Sequence, residues 1–365
     1  MILKNKNNLR PLFTILALIT TMLWWGANST SAQTPARGVL HDFTGSGRTS
    51  FVTLGIPDGG GTIRWRIAAN PPGSPAFIRE FDFGNSTMDF IVPENYTGTD
   101  TVNQRTEPTV WRNANGTFYV AQTPTGTGGI TLERAVQWGQ PGDDPRGVGD
   151  YDGDGKSDYT IVRVVGGNFV WYIMSSSTST MRAVTFGLRT GLPNANAGGF
   201  KVFPGADFTG DGRDELVLVT GPASQDRNTY NIGNAVTGQG VITRDFGTYA
   251  QDVSLPPDDY TGDGRADFVV VRQTDGSPAI WYILDVALNT LRSTRFGIAD
   301  PTFAFGVDGD NPVRGNFDGD NRHDIAVYRD SNQTFYWINS SNGTIGGQKA
   351  PAPVSDIPLG SIDSY

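Results

Sequence analysis

The stretch Asp150-Tyr-Asp-Gly-Asp-Gly-Lys-Ser-Asp158 decides the fold, because nearly the same acidic turn occurs four times in the second half of the chain. The other copies are Asp207-Phe-Thr-Gly-Asp-Gly-Arg-Asp-Glu215, Asp259-Tyr-Thr-Gly-Asp-Gly-Arg-Ala-Asp267 and Asn316-Phe-Asp-Gly-Asp-Asn-Arg-His-Asp324. A short segment rich in Val and Ile follows each copy. A period of roughly 55 residues indicates structural repeats.

Two further signals recur with the same period. One is an aromatic strand pattern such as Phe169-Val-Trp-Tyr-Ile173, and the other is an aromatic-Gly pair such as Phe296-Gly297. Three or four short strands per repeat form a meander sheet, which must stack on its neighbours to bury both faces. Counted from the first acidic position, the repeats begin at Asp42, Asn95, Asp150, Asp207, Asp259 and Asn316, with a stub at Ser361.

Six copies predict an all-β, six-bladed β-propeller of antiparallel meander sheets. The repeats are expected at about 38–92, 93–147, 148–204, 205–256, 257–313 and 314–365. The segment Asp356-Ile-Pro-Leu-Gly360 resembles Asn311-Pro-Val-Arg-Gly315, so we expect a terminal strand to cross the seam of the ring and remove its free sheet edges. Seven blades are the alternative if the C-terminal stub pairs differently, and a solenoid of stacked sheets is the competing architecture.

Residues 1–32 have the pattern of a signal peptide. Basic residues precede an apolar run from Leu12 to Trp25, and small residues suit cleavage after Ala32. A membrane anchor is the alternative, but the run is shorter than the ~20 apolar residues that span a bilayer. We therefore expect an exported protein in the extracellular space, at the cell surface or in the periplasm. The mature chain, 33–365, would be the propeller, without membrane insertion.

Composition limits the chemistry of this chain. The formal net charge of −9 disfavours nucleic acid as a partner. The chain has no cysteine, so disulfides and thiol chemistry are excluded. His41 and His323 are its two histidines, which is too few for a three-His zinc site, and we expect both rings to be solvated in turns. We also expect a monomer.

The acidic turns have the ligand spacing of a calcium loop. Calcium takes six to eight oxygens, commonly from carboxylates at alternating loop positions and a backbone carbonyl. In the third repeat these are the side chains of Asp150, Asp152, Asp154 and Asp158 with the carbonyl of Lys156. The equivalent positions of the next three repeats are Asp207, Thr209, Asp211, Arg213, Glu215, Asp259, Thr261, Asp263, Arg265, Asp267, Asn316, Asp318, Asp320, Arg322 and Asp324.

We predict about four structural Ca²⁺ ions and two turns without metal. The first repeat reads Asp42-Phe-Thr-Gly-Ser-Gly-Arg-Thr-Ser50 and the second Asn95-Tyr-Thr-Gly-Thr99, which leaves too few carboxylates. Thr209 and Thr261 offer a neutral hydroxyl and should weaken their sites. The alternative is that Asp-Gly turns are ordinary hairpin turns that need no ion. Clustered carboxylates at one spacing repel each other unless a cation compensates them, which favours calcium.

Together these features resemble the FG-GAP/VCBS-repeat β-propellers of exported bacterial proteins and, more distantly, the integrin α-subunit head. The resemblance rests on the Asp-x-[Asp/Thr]-Gly-Asp-Gly-x-x-Asp turn, the Trp-Tyr-Ile strand and the Phe-Gly pair. It covers essentially the whole mature chain and is strongest in the last four repeats. It implies calcium ions on one rim, away from the ligand surface, and a role in binding or adhesion.

Catalytic signals are weak in this sequence. No Gly-x-Ser-x-Gly elbow or Walker-type loop is present. Carboxylates outside the acidic turns could pair for glycoside cleavage, but most are expected to be solvated hairpin residues, and we predict no catalytic residue. These carboxylates are Glu80, Glu94, Glu107, Glu133, Asp226 and Asp245.

The tryptophans are a better lead for binding. As blade-to-blade packing they need no ligand, whereas a ring of them projecting from a rim would suit sugars. They are Trp65, Trp171, Trp281 and Trp337 on the second strand pattern, with Trp111 and Trp138 in the second repeat. The longer loops at 70–75 and 122–130 are where a specialised surface would lie.

The first hypothesis is therefore a non-enzymatic, exported, calcium-stabilised propeller that binds an unidentified extracellular protein or a cell-surface partner. A lectin-like propeller that binds polysaccharide is the second hypothesis. A carbohydrate-active enzyme on the same scaffold is the third. Because many functions share this fold, the choice among them depends mainly on the family resemblance.

Overall fold

A computed structural model describes residues 38–57, 59–70, 78–98, 104–124, 129–189, 199–221, 226–274, 278–298, 310–350, 353 and 356–361. Thr34–Tyr365 forms one compact unit. The predicted signal peptide lies outside the described residues, as do most of the loop at 70–75 and part of the loop at 122–130. Within the described ranges, no helix has the length and apolarity needed to cross a membrane.

The first half of the described chain contains ten short strands that follow the predicted patterns. β1 (Phe51–Gly55), β2 (Thr62–Ala68) and β3 (Ile78–Asn85) come first. They are followed by β4 (Asp89–Ile91), β5 (Thr109–Arg112), β6 (Thr117–Gln122) and β7 (Thr131–Gln137). After a single 3-10 turn at Pro145–Gly147 come β8 (Tyr159–Val165), β9 (Asn168–Met174) and β10 (Met181–Leu188).

The second half repeats the same order of strands. The fourth group is β11 (Phe200–Ala206), β12 (Glu215–Thr220), β13 (Thr229–Gly233) and β14 (Gly240–Asp245). The fifth is β15 (Asp252–Ser254), β16 (Phe268–Arg272), β17 (Pro278–Asp285) and β18 (Thr290–Ile298). The last strands are β19 (Asp310–Val313), β20 (Ile325–Arg329), β21 (Thr334–Ile338), β22 (Ile345–Lys349) and β23 (Ile357–Pro358).

These strands form six antiparallel sheets, so the described chain is a six-bladed β-propeller. Five sheets have four strands, and the third has β8 to β10, with two isolated bridges beside β8 at Asp144–Val162 and Gly149–Asp158. The seven-bladed alternative is wrong, because β23 does not start a further blade. It pairs with β1 through Ile357–Leu54 and Pro358–Thr53 and so closes the ring.

The sheets are offset by one strand from the sequence repeats. β4 lies at the end of the first predicted repeat, yet it pairs with β5 of the second, with Phe90 opposite Trp111. In each of the last three blades the acidic turn therefore connects the first and second strands. In blade 1 the first strand comes from the C-terminus, which couples the two ends of the chain across the seam.

The core lies between neighbouring sheets and is built around the tryptophans. Trp65, Trp111, Trp171 and Trp281 are fully buried. Their indole N–H groups donate to the carbonyl of the aromatic-Gly pair in the same blade, for example Trp171 to Phe186 at 3.1 Å. Buried rings with hydrogen-bonded N–H groups show that these four tryptophans pack between blades. They do not form an exposed ring of aromatic side chains on a rim.

The glycine of each aromatic-Gly pair has a left-handed backbone. Gly187 has φ of 96°, and a Cβ there would lie 2.4 Å from Leu218 of the next blade. Gly297 has φ of 100°, and its Cβ would lie 3.0 Å from Val327. The pair is thus explained by a strained turn and by close approach of the next blade.

Four blades share a buried Asp–Arg clamp that sequence reasoning missed. In each clamp, an aspartate accepts two guanidinium hydrogen bonds from the arginine on the strand that follows it. The same arginine lies over the ring of a tyrosine on the next strand, about 5 Å from the ring centre. The pairs are Asp89–Arg112, Asp143–Arg163, Asp252–Arg272 and Asp310–Arg329. In blade 1, Arg66 reaches Asp356 from the third-strand position, beside Gly55.

Candidate metal centres and axial pocket

The first residue of each acidic loop organises the loop backbone. Asp150 Oδ1 accepts from the N–H groups of Gly153 (2.7 Å) and Asp154 (3.1 Å), and its Oδ2 accepts from Gly155 (2.7 Å). Asp207 and Asp259 make the equivalent bonds in their loops. A short carboxylate that caps its own following N–H groups explains why the turn begins with Asp.

The ninth position closes the loop from the other side. Asp158 Oδ2 accepts from Tyr151 N–H (3.1 Å), and its Oδ1 accepts from Ser176 N–H (2.9 Å), in the turn between β9 and β10. Asp324 repeats both contacts, with Phe317 and Ser340. The ninth acid therefore ties together three segments of one blade.

Hydrogen bonds between neighbouring loops form a closed ring of six. In each one, the carbonyl of the first residue of a loop accepts from the N–H of the eighth position in the next loop. The donor and acceptor pairs are Thr106–Asp42 (3.0 Å), Ser157–Asn95 (2.8 Å), Asp214–Asp150 (2.8 Å), Ala266–Asp207 (2.7 Å), His323–Asp259 (2.8 Å) and Thr49–Asn316 (2.8 Å). We call the described residues of 42–50, 95–107, 150–158, 207–215, 259–267 and 316–324 the collar.

Neighbouring loops pack together through the glycine at loop position four and the basic residue at position seven of the next loop. A Cβ at Gly153 would lie 3.0 Å from Arg213, and one at Gly262 would lie 2.3 Å from Arg322. Gly319 lies in the same way against Arg48 across the seam. The basic side chain at position seven covers the glycine of the preceding loop, so the carbonyl predicted as a metal ligand belongs to a residue whose side chain packs between loops.

The third loop brings three of its four acids together. One carboxylate oxygen each from Asp150, Asp152 and Asp154 lies within 4.8 Å of the others, the single such group of three among the described residues. Burial, together with the charges of Asp152 and Asp150, raises the pKa of Asp158 to about 8. Crowded carboxylates that resist ionisation suit a hard divalent cation, which would compensate their repulsion.

The other three loops keep the frame with fewer converging acids. Burial raises the pKa of Glu215 and Asp267 to about 7 and that of Asp324 to about 6. In the sixth loop, Asp320 pairs with Arg322 at 2.7 Å, and Asp318 accepts from the Ser341 hydroxyl at 2.6 Å. The predicted ligand residues occupy equivalent positions in these loops, and metal binding there stays a prediction.

The first loop has the same frame with Asp42 as its one acid. Asp42 accepts from the N–H groups of Gly45, Ser46 and Gly47, just as Asp150 does in the third loop. Ser50, at position nine, accepts from Phe43 N–H at 3.2 Å. This loop shows that the collar backbone can close with a single carboxylate.

Glu107 is the ninth residue of a longer second loop and not a solvated hairpin residue. Its Oε2 accepts from the N–H groups of Tyr96 (2.9 Å) and Thr97 (3.0 Å), and its neighbour Thr106 joins the ring. Burial raises the pKa of Glu107 to about 7. Comparing the repeats by their sequence missed this role, because Glu107 lies four residues beyond the expected ninth position.

A pocket of about 350 Å³ lies where several loops of the collar meet. Its lining combines groups from three collar loops with Glu94, Asp258 and the N-terminal segment Gly38–Leu40. The polar side chains include Glu94, Asn95, Thr106, Lys156, Asp258 and Asn316. We call it the axial pocket. Sequence reasoning missed it, because its residues are far apart in the chain.

The histidines are buried, so the expectation of solvated turn residues was wrong. His41 and His323 are 4% and 7% exposed. His323 occupies the eighth loop position, where its ring packs edge-on against Tyr260 and its Nε2 lies 3.3 Å from Asp258 Oδ2. The eighth position faces the preceding loop, which removes its side chain from solvent.

The other carboxylates are distributed over several blades. Glu80 pairs with Arg64 at 2.6 Å, and Asp245 pairs with Arg227 at 3.1 Å. Glu94 lines the axial pocket. Glu133 is half-buried on β7 and adds to the electrostatic field that raises the pKa of Glu107.

Comparisons with known proteins add little beyond the fold. No protein-family model and no curated protein matches the chain. It is similar to a hypothetical selenium-binding protein from Sulfolobus tokodaii, with 8% identity and a TM-score of 0.43, over 82% of this chain and 74% of that one. It is also similar to an exo-β-1,3-galactanase from Phanerochaete chrysosporium, with 12% identity and a TM-score of 0.32, over 84% and 88%. Such distant likenesses carry no argument about function.

Proposed function

We propose that the protein is an exported, calcium-stabilised β-propeller that acts as a non-enzymatic binding or adhesion module for a protein or cell-surface partner. The observation that carries the proposal is the closed collar. In our proposal each acidic loop holds an ion, and the carbonyl of its first residue accepts a backbone hydrogen bond from the next loop. A cation in one loop would therefore stiffen its neighbour as well.

The third loop supports calcium most directly. Asp150, Asp152 and Asp154 converge, and Asp158 closes the same loop beside them. Oxygen ligands in a flexible loop are the chemistry that Ca²⁺ prefers. Without disulfides, metal-loaded loops would supply the cross-links that an exported repeat protein otherwise lacks.

Three candidate carboxylates already have hydrogen-bond or ion-pair partners, which supports a non-enzymatic role. Glu80 and Asp245 are neutralised by arginines, and Glu107 holds the backbone of the second loop. A glycosidase needs two carboxyl groups that face one substrate across about 5 to 9.5 Å. A glycosidase that used Glu80, Asp245 or Glu107 would require that carboxyl group to leave its present partner.

Thermal unfolding in calcium and in EDTA tests the metal part of the proposal. The mature chain is compared with D152A/D154A and with D82A/D245A, which removes the same charge from exposed ion pairs. Each site filled at 100 times its Kd should add about 2.7 kcal/mol. We expect a calcium-dependent rise in Tm that D152A/D154A reduces and the control keeps. A protein with no calcium response, or two equally affected variants, would contradict it.

Retention on intact bacterial cells tests the binding part. Labelled protein in calcium should bind saturably, and an excess of unlabelled protein should displace it. A panel of polysaccharides incubated with the protein should show no new reducing ends. New reducing ends would replace the proposal with the enzymatic alternative.

A further inference from the structure

The axial pocket has the size and lining of a small-molecule site. Its volume of about 350 Å³ lies at the lower end of the range for such sites. Most of the lining residues are polar, with Val39 and Leu40 as aliphatic members, and polar and apolar atoms contribute about equally to the pocket surface. The pocket is formed by collar loops together with the N-terminal segment Gly38–Leu40.

Two buried amide groups of this lining have no hydrogen-bond partner among the described residues. Asn316 is 3% exposed, and its Oδ1 accepts from Gly319 (2.7 Å) and Asp320 (3.2 Å), whereas its Nδ2 is unpaired. Gln104 Oε1 is likewise buried and unpaired. Native structures rarely leave such groups unsatisfied, so a donor and an acceptor in one pocket point to a missing ligand or water.

The sequence departs from its own pattern at this point. The three preceding loops begin with Asp150, Asp207 or Asp259, and in each one both carboxylate oxygens accept loop N–H groups. Asn316 replaces one of these acceptors with a donor. Within the loop this is a loss, because Nδ2 cannot accept a backbone N–H. In the pocket it supplies a donor to an occupant.

Three charged side chains of the lining already have polar partners. Lys156 Nζ lies 3.2 Å from Asp154, Asp258 lies 3.3 Å from His323 Nε2, and Glu94 accepts from the Ser157 hydroxyl at 3.3 Å. A cationic occupant would have to compete with these partners. A hydroxyl group can accept from Asn316 and donate to Gln104 or Glu94 without disturbing them.

We propose that the axial pocket binds a neutral polyhydroxylated ligand of the size of one or two sugar units. The inference rests on the proposed binding role and names the class of ligand for one surface. Vicinal hydroxyls would satisfy the unpaired amides, while the hydroxyls of Thr106 and Ser157 complete a lining that exchanges water for sugar hydroxyls at little cost.

Saturation-transfer NMR and calorimetry test this inference, with D-glucose, D-galactose, D-mannose and lactose as probes and putrescine as the cationic comparator. N316D installs the residue that the sister loops carry, so it should fold, yet it removes the donor. Q104M removes the acceptor at similar size and touches no predicted metal ligand. N332D makes the same Asn-to-Asp change at an exposed residue outside the pocket.

We expect saturable binding of at least one sugar at saturating calcium. N316D should weaken it at least tenfold and Q104M about threefold to tenfold, whereas N332D should leave it unchanged. If N316D fails to fold, Q104M carries the test. Absence of sugar binding, equal binding by all variants, or binding of putrescine alone would overturn the inference.

These outcomes are separate from those of the proposed function. A calcium-stabilised protein that binds cells but no probe sugar would lose the pocket assignment and keep the binding role. A protein that binds sugar in the pocket without any calcium response would lose the metal assignment.

Discussion

Thr49 and Asn316 hold the seam of the ring by two reciprocal hydrogen bonds. Thr49 N–H donates to the Asn316 carbonyl at 2.8 Å, and Asn316 N–H donates to Thr49 Oγ1 at 2.9 Å. They are 267 positions apart in the chain. Asp150 and Asp214 form the same reciprocal pair between the third and fourth loops. The seam of the collar is thus bonded like an ordinary junction between blades.

Replacing Thr49 with Val should weaken the seam. Thr49 Oγ1 accepts from Asn316 and donates to the Leu40 carbonyl at 2.8 Å, and Val cannot replace either bond. Buried groups left unsatisfied cost about 1–3 kcal/mol, so T49V should lower the free energy of unfolding by about 2 kcal/mol. Denaturant unfolding measures it. T44V, at a half-buried hydroxyl in the same loop, should cost less, and equal losses would contradict the assignment.

The buried ion pair between Arg66 and Asp356 should also stabilise the closed ring. Asp356 has 2% side-chain exposure and is one residue before β23. D356A leaves Arg66 without its closest partner and should cost about 3 kcal/mol. D82A removes the exposed partner of Arg64 and should cost much less than D356A. Chemical denaturation of both variants makes the comparison, and similar losses would mean that the seam pair contributes no more than a surface pair.

Gly187 should tolerate no side chain. G187A combines a left-handed backbone, which costs about 1–2 kcal/mol, with a methyl group 2.4 Å from Leu218. G264A is the matched control, because its φ is +80° and nothing lies near its Cβ. The difference in unfolding free energy between the variants isolates blade-to-blade contact, and we expect about 1–3 kcal/mol. No difference would show that the next blade can move aside.

Glu107 should make stability depend on pH. Its folded-state pKa is raised by burial from 4.5 to about 7, so its contribution is fully present below pH 4.5 and is lost as pH rises through 7. The loss is about 3 kcal/mol at most. E107Q can keep the contacts with Tyr96 and Thr97 and does not titrate. Its stability relative to the wild type should therefore rise between pH 5 and pH 8.

Tm measured across this pH range in calcium tests the prediction. E80Q serves as the control, since Glu80 is exposed and ion-paired with Arg64. Parallel curves for E107Q and the wild type would mean that Glu107 ionises normally in the folded protein.

Much of the fold could be predicted because its signals are local. The aromatic strand predicted at Phe169–Ile173 lies within the observed strand Asn168–Met174. Alternating side chains and Asp-Gly turns specify such strands without reference to the rest of the chain. The candidate site was less accessible. Glu107 was misassigned, since an insertion hides its loop position, and His323 was expected in solvent, since no local signal marks the face that the neighbouring loop covers.

The sequence by itself determined the period, the strands and the acidic loops, because turn chemistry and side-chain alternation act over a few residues. It predicted six blades with seven as the alternative, and the pairing of β23 with β1 excluded the seventh. Tertiary structure alone decided which strands share a sheet, that Thr49 meets Asn316, and that residues from distant loops enclose the axial pocket. The physical reason is ring closure. Each blade can bury both faces only against its neighbours, and that radial packing brings together residues whose separation in the chain carries no pattern.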